Sequence, residues 1–453
     1  MGMTALKAGA AKIDITPPLG TLINGDFINH YAQRVYDPLY VKALVFEDSD
    51  SALAIVVVDT CAMRREFLDE VKKEIFLHAG LSPERVLISS THTHAGGALA
   101  SLLLGAADIE YRKTVSAAIV ETILTAQQSL RPAKIAFGSA SAPEHLLCRR
   151  YKMDDGYIAP NPVTGSTDQV KTNPFGAEAK ILQSAAPVDP EIGYMAVQEM
   201  DGTWISLLAN YSLHYVGDWE KGTICGDYFG AFSRAIEHRL NIGNDFLAVM
   251  TNGTSGDVNI WDFQNPGRYP DGHHQKSESI GEALAERVYQ SLHGLAWEEG
   301  ATIATVYQEM TLPVRKASET ELQTAKSMLE KASYEWMEMN SPERLKEVYA
   351  REQLLLDAYP DHINFPVQAI RIGKGIIGAL GGEFFSETGL WLKEQINGPY
   401  FTVTMANDYV GYVPPEHEIE KGGYETWRCR TSYLGLSSEE TIRKQLLNLT
   451  ALL

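Results

Sequence analysis

The sequence predicts an α/β fold, on three observations. Short apolar runs of strand length recur along the 453 residues. Stretches with helical periodicity lie between them. Gly, Pro, Asn and Asp gather at the joins, where turns need them. No internal repeat and no low-complexity linker interrupts the chain, so one domain over residues 1–453 is expected.

Taken in order, Ala10 to Ile15 alternates and then meets Pro17-Pro18, which predicts a short strand entering a turn. Leu39 to Glu47 and Ala52 to Asp59 are apolar runs joined by Asp48-Ser49-Asp50-Ser51, and read as adjacent strands. Met63 to Ala79 has helical spacing and stops at Gly80, a residue suited to the left-handed position after a helix. Arg85 to Ser90 reads as a buried strand, and Glu110 to Ser129 as a long helix stopped before Pro132. Asp201-Gly202 between Ile192–Glu199 and Trp204–Asn210 predicts a hairpin. Gly230 to Leu240 and Glu278 to Leu292 are helical, with a strand at Phe246 to Thr251 between them. Residues 318–359, rich in Glu, Lys, Leu and Ala, predict an inserted, solvated hairpin of two helices. Its break is expected near Asn340-Ser341-Pro342, where Ser suits the N-cap and Pro the first helical position. Gly375 to Leu380 and Phe401 to Met405 read as the last strands.

Fifty-eight acidic residues against 39 basic ones give a formal net charge of −19. A surface of that sign repels phosphate backbones and anionic lipid, which excludes nucleic acid as a partner. No apolar run approaches the roughly 20 residues a spanning helix needs, so no membrane span is expected. Cys61, Cys148, Cys225 and Cys429 are scattered without a C-x-x-C pair, and read as reduced thiols. Met1 to Ala11 lacks the apolar centre of a secretion signal. That predicts a cytoplasmic location, or a secreted or periplasmic one if a signal has been removed.

The strongest local feature is Ser89-Ser90-Thr91-His92-Thr93-His94-Ala95-Gly96-Gly97. A buried strand delivers two histidines into a glycine-rich loop. In extended backbone, residues two apart share a side, so His92 and His94 can face one site. Imidazole is a favoured zinc ligand, and the second histidine can serve as ligand or proton carrier. The same arrangement recurs. The strand from Trp204 leads to Asn210-Tyr211-Ser212-Leu213-His214. The strand from Phe246 leads to Asn252-Gly253-Thr254-Ser255-Gly256-Asp257-Val258-Asn259. The strand from Gly375 leads to Gly381-Gly382-Glu383, and that from Phe401 to Asn407-Asp408-Tyr409. Polar, metal-capable residues after buried strands mark where α/β proteins place their sites. Taken singly, His214 could be a core histidine and Glu383 an acid at a helix N-terminus.

In this order, Ile13-Asp14-Ile15-Thr16-Pro17-Pro18, Thr91 to His94, Asn210 to His214, Gly256-Asp257-Val258, Gly382-Glu383-Phe384 and Tyr409-Val410-Gly411-Tyr412-Val413 with Gly423-Tyr424-Glu425 resemble the neutral, non-lysosomal ceramidases. The resemblance runs from about residue 8 to residue 435. It implies that family's large mixed-sheet catalytic domain and a catalytic zinc. It implies His92, His214, Glu383 and Tyr412 as the metal ligands, His94 as the catalytic proton carrier, and Tyr424 with Arg149 beside the developing oxyanion. Two departures stand out. The family's G-D-V-S-P-N serine is Asn259 here, with Trp261 two residues on. The chain also leaves no room after Leu436 for the C-terminal immunoglobulin-like domain of full-length members.

The expected function is zinc-dependent hydrolysis of an amide (N-acyl) or ester bond by metal-activated water, on a small-molecule or lipid substrate. Both departures predict a shorter, more polar pocket than ceramide needs and poor ceramide turnover. Asn259, Asp257 and Ser255 are expected to bind substrate or support the site, with Asp257 buried and a bond to an imidazole N–H as the specific guess. Two other readings are a serine hydrolase using Ser255 and a relative that binds its ligand without turnover.

Overall fold

The structure, a computed structural model, describes residues 6–25, 29–242, 246–330, 332 and 341–453. Its largest sheet contains β1 (Lys7–Asp14), β2 (Tyr40–Glu47), β3 (Ala52–Val58), β4 (Val86–Ser90), β5 (Arg131–Ser141), β6 (Glu191–Glu199), β7 (Trp204–Tyr211) and β8 (Leu247–Asn252). The spatial order is β8-β7-β6-β5-β1-β2-β3-β4, and the Glu298–Glu299 pair adds to β5. Only the outer pairs, β3 with β4 and β7 with β8, are parallel. A second sheet runs β9 (Ile303–Pro313), β10 (His362–Ile372), β11 (Gly375–Leu380), β12 (Tyr400–Val403), with its parallel pair between β11 and β12.

Both faces of the main sheet are covered, which explains the near-continuous apolar runs in its strands. Val41, Ala43 and Val45 of β2 point toward α1 (Arg65–Ala79) and α2 (Ile109–Gln128). Leu44 and Phe46, one residue out of phase, join a cluster with Ile370, Ile377, Phe401 and Val403 of the second sheet. Helices α3 (Asp227–Leu240) and α4 (Gln275–Ser291) bury Phe232, Ile236, Leu284 and Val288 against the outer face of β6 to β8. The two edges of the main sheet are held together by the segment after β12. Asn407 N–H donates to Ile88 of the β4 edge, and Thr404 N–H donates to Asn252 of the β8 edge, at 2.8 and 2.9 Å.

Local signals place the helix ends. Gly80 closes α1 at φ 70, and the Asp108 side chain caps α2 by accepting from Tyr111 N. The expected helical pair is present as α5 (Glu319–Leu329), with a Ser318/Glu321 capping box, and α6 (Pro342–Asp357), capped by Ser341. Asn340 of its expected break lies outside the described residues. The hairpin is more than a solvated appendage: Glu352 of α6 is fully buried and pairs with Arg430, and Leu345 reaches the cleft described below.

Candidate metal centre and cleft

The histidines are brought together by the ends of β4 and β7. His92 lies two residues past β4 with φ 70, a left-handed conformation that costs a non-glycine residue on the order of 1–3 kcal/mol. Its N–H donates to Thr60 O, and its Nδ1 lies 2.8 Å from the Cys61 carbonyl oxygen. A carbonyl can only accept, so Nδ1 carries a proton and Nε2 is the nitrogen turned toward Glu383. His92 Nε2 is 3.6 Å and His214 Nε2 3.8 Å from Glu383 Oε2. All three side chains are buried.

Glu383 is set by a small parallel pair. Glu383–Phe384 lies beside Tyr412–Val413, with Glu383 directly opposite Tyr412. Close approach there depends on Gly256, where a Cβ would fall 2.5 Å from the Glu383 carbonyl oxygen. The two carboxylate oxygens differ. Tyr409 O–H donates to Oε1 at 2.7 Å, whereas the buried Oε2 meets no hydrogen-bond donor among the described residues. A buried carboxylate oxygen without a donor is costly unless a cation faces it. Burial pushes the Glu383 carboxyl up, but His92, Arg149 and the Tyr409 bond outweigh it and hold it below the usual range. Burial pushes His92 down, yet Cys61 and Glu383 draw it well above the usual imidazole value. Burial depresses His214, helped by Arg149 and the other histidines. The one negative charge in the cluster is that of Glu383.

This donor set fits zinc: two imidazole nitrogens, one carboxylate oxygen and an adjacent phenol oxygen. The N···O gaps resemble the edge of a tetrahedron with bonds of about 2.1 Å, roughly 3.4 Å. Two other groups of metal-capable side chains are less suited. Cys61-His92-His94 includes a partly exposed member, and Glu387-His417-Glu418 is half exposed, with Glu418 paired to Arg150.

His94 Nε2 lies 3.4 Å from His92 Nε2, and its ring stacks on Tyr215 at 3.7 Å. The turn at Gly25, φ +126, presses against it, and a Cβ there would sit 2.3 Å from the imidazole. Burial and the neighbouring His92 lower the His94 pKa well below the usual value and favour the neutral ring. Arg149 is buried, donating from Nε to Glu425 and from its NH2 nitrogen to Gly256 O, both at 2.7 Å. Its guanidinium lies over the Tyr412 ring at 5.3 Å. The rings of Tyr424 and Tyr412 meet edge to face at 5.6 Å, and burial raises both hydroxyls well above the usual range.

His94, His214, Arg149, Tyr412 and Tyr424 line one cleft of about 480 Å³. A larger groove of about 700 Å³ between α1 and α2 contains none of them. Asn259 lines the cleft too. Its Nδ2 donates to Asn173 Oδ1 at 2.5 Å and its Oδ1 accepts from Trp261 N. Trp261 packs edge-on against Phe175, 5.0 Å between centroids, on the same wall.

Two expectations need correction. Asp257 is buried, but its Oδ1 accepts from Ser386 N and Oγ, not from an imidazole. It holds the start of α7 (Ser386–Gln395). Ser255 is buried with its hydroxyl donating to Asn252 Oδ1 at 2.7 Å, and it does not line the cleft. That commits the proton a nucleophilic serine would have to give to a base. Sequence reasoning missed Tyr215, and it quoted Tyr409 and Glu425 within motifs without giving either a role. Glu425 is fully buried, accepts from Arg149, Arg150 and Thr172, and is the anchor for Arg149. Its neighbour Tyr424 carried the only sequence signal for it.

The fold and site together define an α/β protein with a buried His-His-Glu-Tyr cluster opening into a mixed apolar and polar cleft. The model of the neutral/alkaline non-lysosomal ceramidase N-terminal domain matches residues 7–262. The chain belongs to that family. It is 25% identical over 280 residues to neutral ceramidase A of Dictyostelium discoideum, covering 56% of this chain and 36% of the length of that relative. The fold is similar to that of a neutral ceramidase from Pseudomonas aeruginosa, with a TM-score of 0.71, 17% identity, and coverage of 98% of this chain and 74% of the other. It is also similar to a ceramidase structure described as complexed with C2, with a TM-score of 0.70, 15% identity, and coverage of 98% and 75%. Among the described residues, no helix is long and apolar enough to cross a membrane.

Proposed function

We propose that this protein is a zinc-dependent hydrolase of an amide or ester bond, acting on an N-acyl or acyl-ester substrate held in the cleft. The observation that carries the reading is Glu383 Oε2, buried, ionised and without a donor, facing the Nε2 atoms of His92 and His214. His92, His214, Glu383 and Tyr412 would hold the metal. When bound, zinc supplies a water acidified to a pKa of about 7 and a Lewis acid for the carbonyl.

The protein's own groups do the rest. Tyr409 fixes the carboxylate of Glu383 so that one oxygen points into the cluster. Tyr424, kept protonated by burial, donates to the carbonyl oxygen as its charge grows. Arg149, locked by Glu425, adds positive charge on the same side and orients Tyr412. His94 carries the proton to the leaving nitrogen or oxygen, and Tyr215 and Gly25 hold its ring in place. The balance is one water consumed. Its oxygen bonds to the carbonyl carbon, the C–N or C–O bond breaks, and a proton goes to the leaving atom.

A ceramide is the substrate class the family membership favours. The Asn173–Asn259 pair and the Trp261–Phe175 wall favour a smaller, more polar acyl compound instead. The test is hydrolysis of short N-acyl amides, esters and a long-chain ceramide in detergent, with zinc-loaded and chelator-treated protein. Turnover of short amides that disappears on chelation and returns with zinc is expected. Activity that survives chelation would overturn the proposal, and efficient turnover of ceramide alone would overturn the substrate preference.

A further inference from the structure

We propose that Lys171 binds a carboxylate on the substrate, so that the cleft selects negatively charged N-acyl compounds. This rests on the hydrolase reading above for the identity of the reacting bond, and on separate observations for the charge. Lys171 lies on the short strand Val170–Thr172, which pairs with Arg150–Met153 and brings Lys171 opposite Tyr151. It lines the cleft beside Asn173 and Asn259. Among the described residues, its ammonium forms no ion pair and no hydrogen bond.

The acids within electrostatic reach of Lys171 are Glu425 and Asp168, and both are already engaged. Glu425 accepts from Arg149, Arg150 and Thr172. Asp168 accepts from Asn161, Gly423 N and Trp427 Nε1. Among the described residues, no Asp or Glu lines the cleft. Among the described residues, a chain with a net charge of −19 therefore presents a recess lined by no acid and holding one unengaged ammonium, while its other lining guanidinium, Arg149, is bound to Glu425. Burial lowers the Lys171 pKa, which is the cost of keeping a cation there without a partner. A carboxylate arriving on the substrate removes that cost and forms a charge-assisted hydrogen bond. The Asn173–Asn259 amide pair adds polar contacts on the same wall.

The test is a binding measurement on metal-stripped protein, where a carboxylate cannot ligate zinc. The probes are N-hexanoylglycine and its uncharged carboxamide, with titration calorimetry on the wild type, Lys171→Gln and Lys171→Arg. The wild type should bind the carboxylate about ten- to hundredfold more tightly than the carboxamide, and added salt should shrink the gap. Lys171→Gln should abolish the preference, and Lys171→Arg should keep part of it. Equal binding of the two probes by the wild type, or an undiminished preference in Lys171→Gln, would overturn the proposal. Hydrolysis of both probes by zinc-loaded protein is measured in parallel. A binding preference without turnover would sink the hydrolase reading and leave the anion site standing. Turnover without a binding preference would do the reverse.

Discussion

At the scale of single residues, the account separates two neighbouring histidines by what their ring nitrogens face. His92 Nε2 faces Glu383, and His94 packs on Tyr215 at the cleft wall. His92→Ala is expected to lose metal. His94→Ala is expected to keep it and lose about 10²- to 10⁴-fold in kcat. Metal analysis of both variants beside their kinetics checks this, and an equal loss of metal in both would make His94 a ligand. Gly25→Ala should resemble His94→Ala, because its Cβ would displace the imidazole while leaving the metal side chains alone. Tyr409→Phe removes the donor to Glu383 Oε1, and metal affinity should fall about 10- to 100-fold. The sequence already displayed the residues that follow buried strands: His92, His94, His214 and Glu383. It gave no role to Tyr409, Tyr215 or Lys171, whose roles depend on which loop lies opposite, and no local pattern encodes that.

At the scale of elements, boundary signals were legible where they are local. Gly80, Asp108 and the Ser318/Glu321 box each sit where the chain changes direction. The sequence reading missed β9 and β10. β9 is half exposed along most of its length, so its apolar pattern is weak, and it gains order only by pairing with β10. Asp257 offers a test of how distant elements are joined. It accepts the Ser386 N–H at the start of α7, and burial raises its pKa from 3.8 to about 6. A carboxyl with a raised folded-state pKa binds more protons folded than unfolded in that window. Stability therefore falls as pH rises from about 4 to about 6, by on the order of 2–3 kcal/mol from this group. Asp257→Asn lacks this loss, so relative to wild type it should gain stability between pH 4 and pH 6.5 in urea unfolding. A relative loss over that interval would contradict the assignment.

At the scale of the whole molecule, the segment after β12 joins both edges of the main sheet and carries Tyr409 and Tyr412 into the cluster. The site is therefore assembled from β4, β7, β11 and the segment that closes the sheet, with His92 and Tyr412 320 positions apart in the sequence. The α/β class and the order of the motifs were readable because each motif follows its own strand. The edge closure, and the entry of α6 into the cleft wall, were not, since both arise from packing between distant parts of the chain. The most direct test of the central claim is the metal content of protein purified without added metal, beside Glu383→Gln. The account predicts about one zinc per wild-type chain. It also predicts a large loss in the variant, whose neutral side chain no longer supplies the buried negative charge. Wild-type protein that holds no zinc and takes up none on addition, or a Glu383→Gln variant that holds it as tightly, would contradict it.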